Sequence, residues 1–252
     1  MSLLSTLPHS HKHEDEHVHV PDLLGQGVKE CRRYITPGEL DHFLNRTLRG
    51  RIGMRVLAEQ HINLKNSRNG FIGIINTRLR PQDIIQRAWL HAQDVCRLHY
   101  GDAPHLTIDG HEDATFSFIP VHLEYIMIEL FKNSMRATVE FHRDSDKLPP
   151  VRVTLCKGDR DVTIRVSDQG GGIPYDIVNK VWQYAFTTAL ESMQSGLQGT
   201  SLISDAIARK IEPIAGIGFG LPQSKVYAEY FGGDLQLHTM HGYVRIFYIF
   251  LG

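Results

Sequence analysis

The sequence predicts an α+β fold, with helices at the N-terminal end followed by strands and helices around a shared core. Three stretches carry this prediction. Residues 151–155 and 162–168 alternate apolar and polar side chains on either side of the turn Lys157-Gly158-Asp159-Arg160, the pattern of a β-hairpin with one buried face. Residues 122–141 place Leu123, Ile126, Met127, Leu130, Ala137 and Phe141 at the i, i+3, i+4, i+7 spacing of an amphipathic helix. Thr36-Pro37-Gly38-Glu39 combines a threonine cap, proline at the first helical position and glutamate three after the cap, which opens a helix running to about Ile62.

The 252-residue chain has ample material for a core, and its net charge is −1. Lysines and arginines are dispersed, so nothing favours nucleic acid or a membrane surface. No apolar run reaches the roughly 18 residues of a membrane span. Cys31, Cys96 and Cys156 are widely spaced without a CxxC pair, which suggests free thiols in a reducing compartment.

In chain order, residues 1–21 carry His9, His11, His13, His17 and His19 among acidic residues. Alternating histidines can bind a transition metal. Nothing apolar there can order the backbone, so the expectation is a mobile polar tail. Glu14, Asp15 and Glu16, with no arginine, make it a poor mitochondrial presequence. Residues 22–34 form a short helix with Leu23, Leu24, Val28 and Cys31 on its apolar side. The next helix continues through Leu40, Phe43, Leu44, Leu48, Ile52, Met54 and Leu57. These two helices cannot bury much alone and must pack on each other and on something else. Residues 63–69 read as a loop and 71–75 as a strand. Pro81 opens a helix over residues 82–100 with Ile84, Ile85, Ala88, Val95 and Leu98 inward. Short strands follow at 106–108 and 115–118.

Beside the apolar face of the 122–141 helix runs a polar stripe of Tyr125, Glu129, Lys132, Asn133, Arg136 and Glu140. Glu129 and Asn133 are four apart and project from the same side. Asparagine is a mediocre helix former, so its place in mid-helix, one turn after a carboxylate, asks for a reason; a solvated helix edge is the bland one. In the hairpin, Val162, Ile164 and Val166 point to the core and Asp168 is next in the same register. A carboxylate at the mouth of a buried face needs a hydrogen-bond partner. Gly170-Gly171-Gly172 follows, a backbone suited to close approach by a ligand, where a plain turn needs only one glycine. Residues 176–184 read as a short helix and about 186–215 as a polar lid, with a helix within it at 201–211. Gly216-Ile217-Gly218-Phe219-Gly220-Leu221 then opens a helix over 221–231. A glycine-rich loop feeding a helix N-terminus is a phosphate cradle. Terminal strands lie at 235–238 and 243–250.

No GxxxxGK[ST] motif, no Rossmann context and none of the ordinary protein-kinase motifs is present. The ordered set ExxxN, DxGGG, lid and GxGxGL instead resembles the ATPase superfamily of gyrase B, Hsp90, histidine kinases and MutL. That resemblance implies the Bergerat (GHKL) ATP-binding fold, an α+β two-layer sandwich. Residues 129–140, 166–174, 186–189 and 218–234 are similar in detail to the mitochondrial protein kinases, which act on pyruvate dehydrogenase or branched-chain α-ketoacid dehydrogenase. Resemblance to both extends over residues 23–242, with a lean toward the pyruvate enzyme.

The resemblance implies an ATP- and Mg²⁺-dependent protein-serine kinase of the mitochondrial matrix. Its acceptor would be a serine on the E1α subunit of a 2-oxoacid dehydrogenase complex, which phosphorylation inactivates. Glu129 would be the general base and Asn133 the Mg²⁺ ligand. Lys132, Arg136, Gly170, Gly172, Thr187 and Thr188 would face ATP. Asp168 would accept a hydrogen bond from the adenine amine, and Gly216, Ile217, Gly218, Phe219, Gly220 and Leu221 would wrap the phosphates. Family partners would be the lipoyl domain of E2 and a second copy in a homodimer. The family's organisation divides the chain into a tail (1–21), the remnant of a helical-bundle domain (22–69) and the kinase domain (70–252). The chain departs from the family at both ends and is expected to be truncated there. Only two bundle helices remain, and the last strand lacks the family's Gly-x-Gly-Thr-Asp turn. A histidine kinase would need a phospho-accepting histidine followed by an acid on a dimerisation helix; His42 and His61 lack the follower, and His13-Glu14 sits in the tail. A non-catalytic nucleotide-binding module is the remaining alternative.

Overall fold

The structure is a computed structural model. It describes residues 24, 27, 28, 30, 31, 33–66, 68–159, 161–187 and 218–252. The histidine-rich tail, most of the lid and the helix expected at 201–211 lie outside them.

Helix α1 (Pro37–Leu64) starts at the expected cap: the Glu39 amide donates to Thr36 Oγ1 and the Thr36 amide donates back to Glu39 Oε2. Its buried residues are Leu40, Leu44, Leu48 and Ile52, a stripe of strict four-residue spacing. A stripe that narrow leaves Phe43, Met54 and Leu57 exposed. A small two-stranded element, β1 (Phe71–Ile72) and β2 (Ile75–Leu79), replaces the single strand expected at 71–75. Gly73, at φ +62°, turns the chain between them, and the Ile74 amide donates to Gln60 Oε1 of α1. Helix α2 (Pro81–Tyr100) and strands β3 (Leu106–Gly110) and β4 (Phe116–Phe118) follow. Strand β4 pairs with β2.

Helix α3 (Pro120–Phe141) leads into the hairpin of β5 (Val151–Lys157) and β6 (Val162–Asp168). The short helix expected at 176–184 is instead a run of turns ending in one 3-10 turn, Lys180–Trp182. None of those three residues is buried, although Trp182 packs against the main core. Helix α4 (Gly220–Tyr230) and strands β7 (Asp234–Met240) and β8 (Val244–Leu251) complete the described chain.

Strand order in the main sheet is β3-β5-β6-β8-β7. Only β3 and β5 are parallel. One face is apolar: Val151, Val153 and Leu155 on β5, Val162, Ile164 and Val166 on β6, and Phe247, Ile249 and Leu251 on β8 are buried. They share a core with Ile84, Ala88 and Trp89 of α2 and with Leu123, Ile126, Met127, Leu130 and Phe131 of α3. The opposite face carries Thr154 and Arg165, joined by an Arg165 Nη2 to Thr154 Oγ1 hydrogen bond of 2.8 Å. A sheet apolar on one side and helix-covered there is a two-layer α+β sandwich, the class the sequence predicts.

A second, smaller core explains what α1 packs on. Leu40, Leu44, Leu48 and Ile52 meet Val28, Tyr184, Phe219 and Val226. Tyr184 donates from its amide to Asp41 Oδ1 at 3.0 Å and from its hydroxyl to Asn45 Oδ1 at 2.7 Å. An ion pair between Arg49 and Glu229 joins α1 to α4.

Helix α3 begins with a buried histidine. His122 is 4% exposed and stacks on Tyr227 and Phe231, with ring centroids 4.9 and 5.1 Å away. Burial, partly offset by Glu59, pushes its pKa down to about 4. The folded chain therefore binds fewer protons at this ring than the unfolded chain between that value and the ordinary 6.5. Stability contributed by neutral His122 is present above pH 6.5 and is lost as pH falls toward 4. Between pH 7 and pH 5 this ring should account for about 2 kcal/mol of lost stability. Urea titrations of the wild type and His122→Phe, which keeps an aromatic ring for the stack, should show the smaller pH dependence in the variant. Equal pH dependence in both would contradict the assignment.

Candidate functional site

Helix α3 has two working faces. Its core face runs through Leu123, Ile126, Met127, Leu130, Phe131, Ser134, Met135 and Thr138. The expected core positions Ala137 and Phe141 turn instead toward a cavity of about 480 Å³. Phe141 is 54% exposed. The apolar pattern misleads here because Ser134 and Thr138 take the buried positions of the last turns. Thr138 Oγ1 donates to the Ser134 carbonyl at 2.8 Å, so its hydroxyl is satisfied within the helix.

Glu129, Asn133, Arg136 and Glu140 line the same cavity as Ala137 and Phe141. The turn after β6 contributes Gly170, Gly172 and Ile173. Gly172 sits at φ +68°, and a Cβ there would strike the Met240 carbonyl, so the position admits only glycine without rearrangement. Gly218, Gly220, Leu221 and Pro222 at the start of α4, and Phe186 and Thr187, also line the cavity. Arg245 and Phe247 of β8 close the base. Among the described residues helix α4 has no side-chain cap, and its first turn, with the Gly220 and Leu221 amides at the positive end of the helix dipole, lines the cavity.

Glu129 is held on two sides. Lys132 Nζ lies 2.7 Å from Glu129 Oε1, with side chains only 9% and 17% exposed. A Cβ on Gly220 would collide with Glu129 Oε2, so the start of α4 closes on the carboxylate. Tyr125 stands one turn earlier. Burial, and next the Glu129 carboxylate, hold its phenol protonated well above the ordinary range.

Asp168 is fully buried and has the partner its register demands. Arg245 Nε donates to it, 3.1 Å from Oδ1 and 3.2 Å from Oδ2, and the Gly170 amide donates to Oδ1 at 2.9 Å. Arg245 Nη2 also donates to the Asn133 carbonyl at 2.7 Å. Arg245 is among the residues lining the cavity and Asp168 is not. Sequence reasoning missed Arg245, although a signal existed. It falls in the buried register of β8 with Phe247, Ile249 and Leu251, the same anomaly that marks Asp168 in β6.

Of the residues singled out from sequence, the cavity brings together Glu129, Asn133, Arg136, Gly170, Gly172, Thr187, Gly218, Gly220 and Leu221. Lys132 is reached through its ion pair with Glu129. Phe219 points away, into the smaller core, with its ring 5.1 Å from that of Tyr184. Thr188, Gly216 and Ile217 lie outside the described residues.

A cleft with a helix N-terminus, a glycine turn and a held carboxylate suits a phosphorylated ligand and a proton acceptor in one place. Residues 119–251 match the family model of histidine kinase-, DNA gyrase B- and HSP90-like ATPases. The chain belongs to this ATPase family. Membership implies ATP as the nucleotide. Residues 10–76 match a second model, described as mitochondrial branched-chain alpha-ketoacid dehydrogenase kinase. Among curated relatives, the mitochondrial [pyruvate dehydrogenase (acetyl-transferring)] kinase of Arabidopsis thaliana is 37% identical over 93% of this chain and 64% of its own length. The kinase of the same name from Schizosaccharomyces pombe is 40% identical over 89% of this chain and 53% of its own length. Isozyme 1 of Rattus norvegicus is 31% identical, over 91% and 54%. The chain thus spans between about half and two thirds of the relatives it matches. No described helix is long and apolar enough to cross a membrane.

Proposed function

We propose that this ATPase-family chain carries the phosphotransfer site of a protein-serine kinase of the mitochondrial matrix. Its acceptor is a serine on the E1α subunit of a 2-oxoacid dehydrogenase complex, pyruvate dehydrogenase first. The observation that supports this best is that Glu129, Asn133 and the Gly218–Gly220 turn face one cavity beside the N-terminus of α4.

In this reading the γ-phosphoryl group of ATP passes to the serine oxygen and ADP leaves. Glu129 takes the serine proton, and Lys132 fixes the carboxylate in its acceptor position. The α4 amides and the backbone at Gly218 and Gly220 approach the phosphates, with Arg136 and Thr187 on the cavity wall beside them. Asn133 offers one amide oxygen toward a cation. Among the described residues no group of three His, Cys, Asp or Glu side chains could cage one. A single amide oxygen fits Mg²⁺, which keeps its waters and substrate phosphate oxygens as ligands. When bound, that ion neutralises the charge that develops on the transferred phosphoryl group. The base of the nucleotide lies toward Asp168 and Gly170. The E2 lipoyl domain and a second copy of the chain are further proposed partners, bound outside this cavity.

The relatives' names favour pyruvate dehydrogenase, whereas the model matched by residues 10–76 favours the branched-chain complex. Incubation with radiolabelled ATP and each E1 separately decides between them. Serine labelling of pyruvate E1α is the expected result. Labelling confined to branched-chain E1 reverses the substrate assignment. ATP binding with no transfer to either E1 makes the chain a nucleotide-binding module.

A further inference from the structure

Asp168 and Arg245 form a buried charge pair at the base of the cavity, and only the arginine reaches the cavity wall. A carboxylate only accepts hydrogen bonds and a guanidinium only donates them. The two therefore suit opposite groups at the 6-position of a purine: a carboxylate receives the adenine amine, and a guanidinium meets the carbonyl oxygen of hypoxanthine or guanine. We propose that Arg245 is a specificity-determining residue for the nucleotide base, and that it weakens the discrimination of ATP from oxo-purine triphosphates. This inference rests on the reading of the cavity as the ATP site.

The bonding around the pair supports it. Asp168 Oδ1 already accepts from the Gly170 amide and from Arg245 Nε. Oδ2 shares the same Nε–H at 3.2 Å. Arg245 commits one further N–H, on Nη2, to the Asn133 carbonyl. A guanidinium has five N–H groups, so among the described residues three are not committed to Asp168 or to the Asn133 carbonyl, and the side chain lines the cavity. An adenine amine that sought Asp168 would compete with a guanidinium that a backbone carbonyl of α3 helps to hold in place. An oxo-purine meets donors with no such competition. Positional restraint on Arg245 thus changes what the base end of the site accepts, without changing the phosphate end at all.

The test measures dissociation constants of ATP and ITP by calorimetry for the wild type, Arg245→Lys and Arg245→Gln, each checked by thermal melting. ITP differs from ATP chiefly in carrying the 6-oxygen, so the ratio isolates this contact from the phosphates. Wild type should bind the two within about threefold, less than the worth of one hydrogen bond. Arg245→Gln should shift the ratio toward ATP by about tenfold, because Asp168 loses its guanidinium competitor. Arg245→Lys, which keeps a cation beside Asp168, should stay near the wild-type ratio. A purely structural role would lower both affinities together and leave the ratio unmoved, which would overturn the proposal. If Arg245→Gln does not fold, since it leaves a buried carboxylate without its partner, the wild-type ratio decides: a preference for ATP above about threefold overturns the proposal. A wild type that binds ATP but shows neither effect sinks this inference alone. A folded wild type that binds no purine triphosphate sinks the site reading and this inference with it.

Discussion

Glutamine in place of Glu129 should abolish labelling of E1α while ATP still binds. The amide keeps the shape of the side chain and its fit against Gly220, but it cannot take the serine proton. Loss of a general base lowers rates by about 10²–10⁴-fold. Single-turnover labelling with saturating ATP should therefore fall by at least about a hundredfold. Calorimetric affinity for ATP should change far less, because the backbone proposed to face the phosphates, at Gly218, Gly220 and the start of α4, is untouched. A secondary effect follows from Lys132, which is 7% exposed and sits 2.7 Å from the carboxylate. Facing a neutral amide, this mostly buried ammonium loses a charge-assisted partner, so the variant should also be less stable by about 1–3 kcal/mol. Lys132→Met separates the two effects. It removes the cation but leaves the base, and it should retain measurable transfer with a displaced carboxylate. Labelling by the Glu129→Gln chain within about tenfold of wild type would remove Glu129 from the role of base.

Where the sequence speaks, it does so through anomalies of pattern. Asp168 stands in the buried register of β6, and Glu129 and Asn133 interrupt a helix with polar groups one turn apart. These need no knowledge of distant contacts, because period and register are local. The partner of Asp168 is another matter. Arg245 lies 77 residues away, and only the pairing of β6 with β8, Asp168 opposite Arg245, brings them together. Burial of Ser134 and Thr138 was hidden for a different reason. Their hydroxyls count as polar in any pattern, yet Thr138 closes its hydrogen bond inside the helix and can enter the core. Phe219 looked like part of a phosphate loop because it lies between two glycines. Its ring instead anchors that loop to α1 through Tyr184, a contact set by tertiary packing alone.

Phe131→Ala is the substitution expected to destabilise the fold most. Phe131 is fully buried and meets Trp89 edge to face, with centroids 5.1 Å apart and planes at 82°. That contact joins α2 to α3 within the main core. Truncation removes the apolar area and leaves a cavity that neighbouring side chains fill only partly, a cost of about 3–5 kcal/mol. Of this, about 0.5–1.5 kcal/mol belongs to the aromatic pair itself. Domains of this kind are stable by only about 5–15 kcal/mol, so the variant should unfold at much lower urea concentration. Phe131→Leu keeps most of the volume and should lose less, with its urea slope unchanged. The site feels the change through geometry rather than contact. Phe131 lies on the core face one residue before Lys132 and two before Asn133, so its packing sets the rotation of α3 about its axis. A helix free to roll would carry Glu129 away from Gly220 and Asn133 away from Arg245. At a urea concentration where Phe131→Leu is still folded, its ATP affinity should remain near wild type while transfer declines, since in the proposed mechanism binding spreads over many backbone contacts and proton abstraction depends on one carboxylate. A loss of stability below about 1 kcal/mol in Phe131→Ala would mean that this ring does not fix α3.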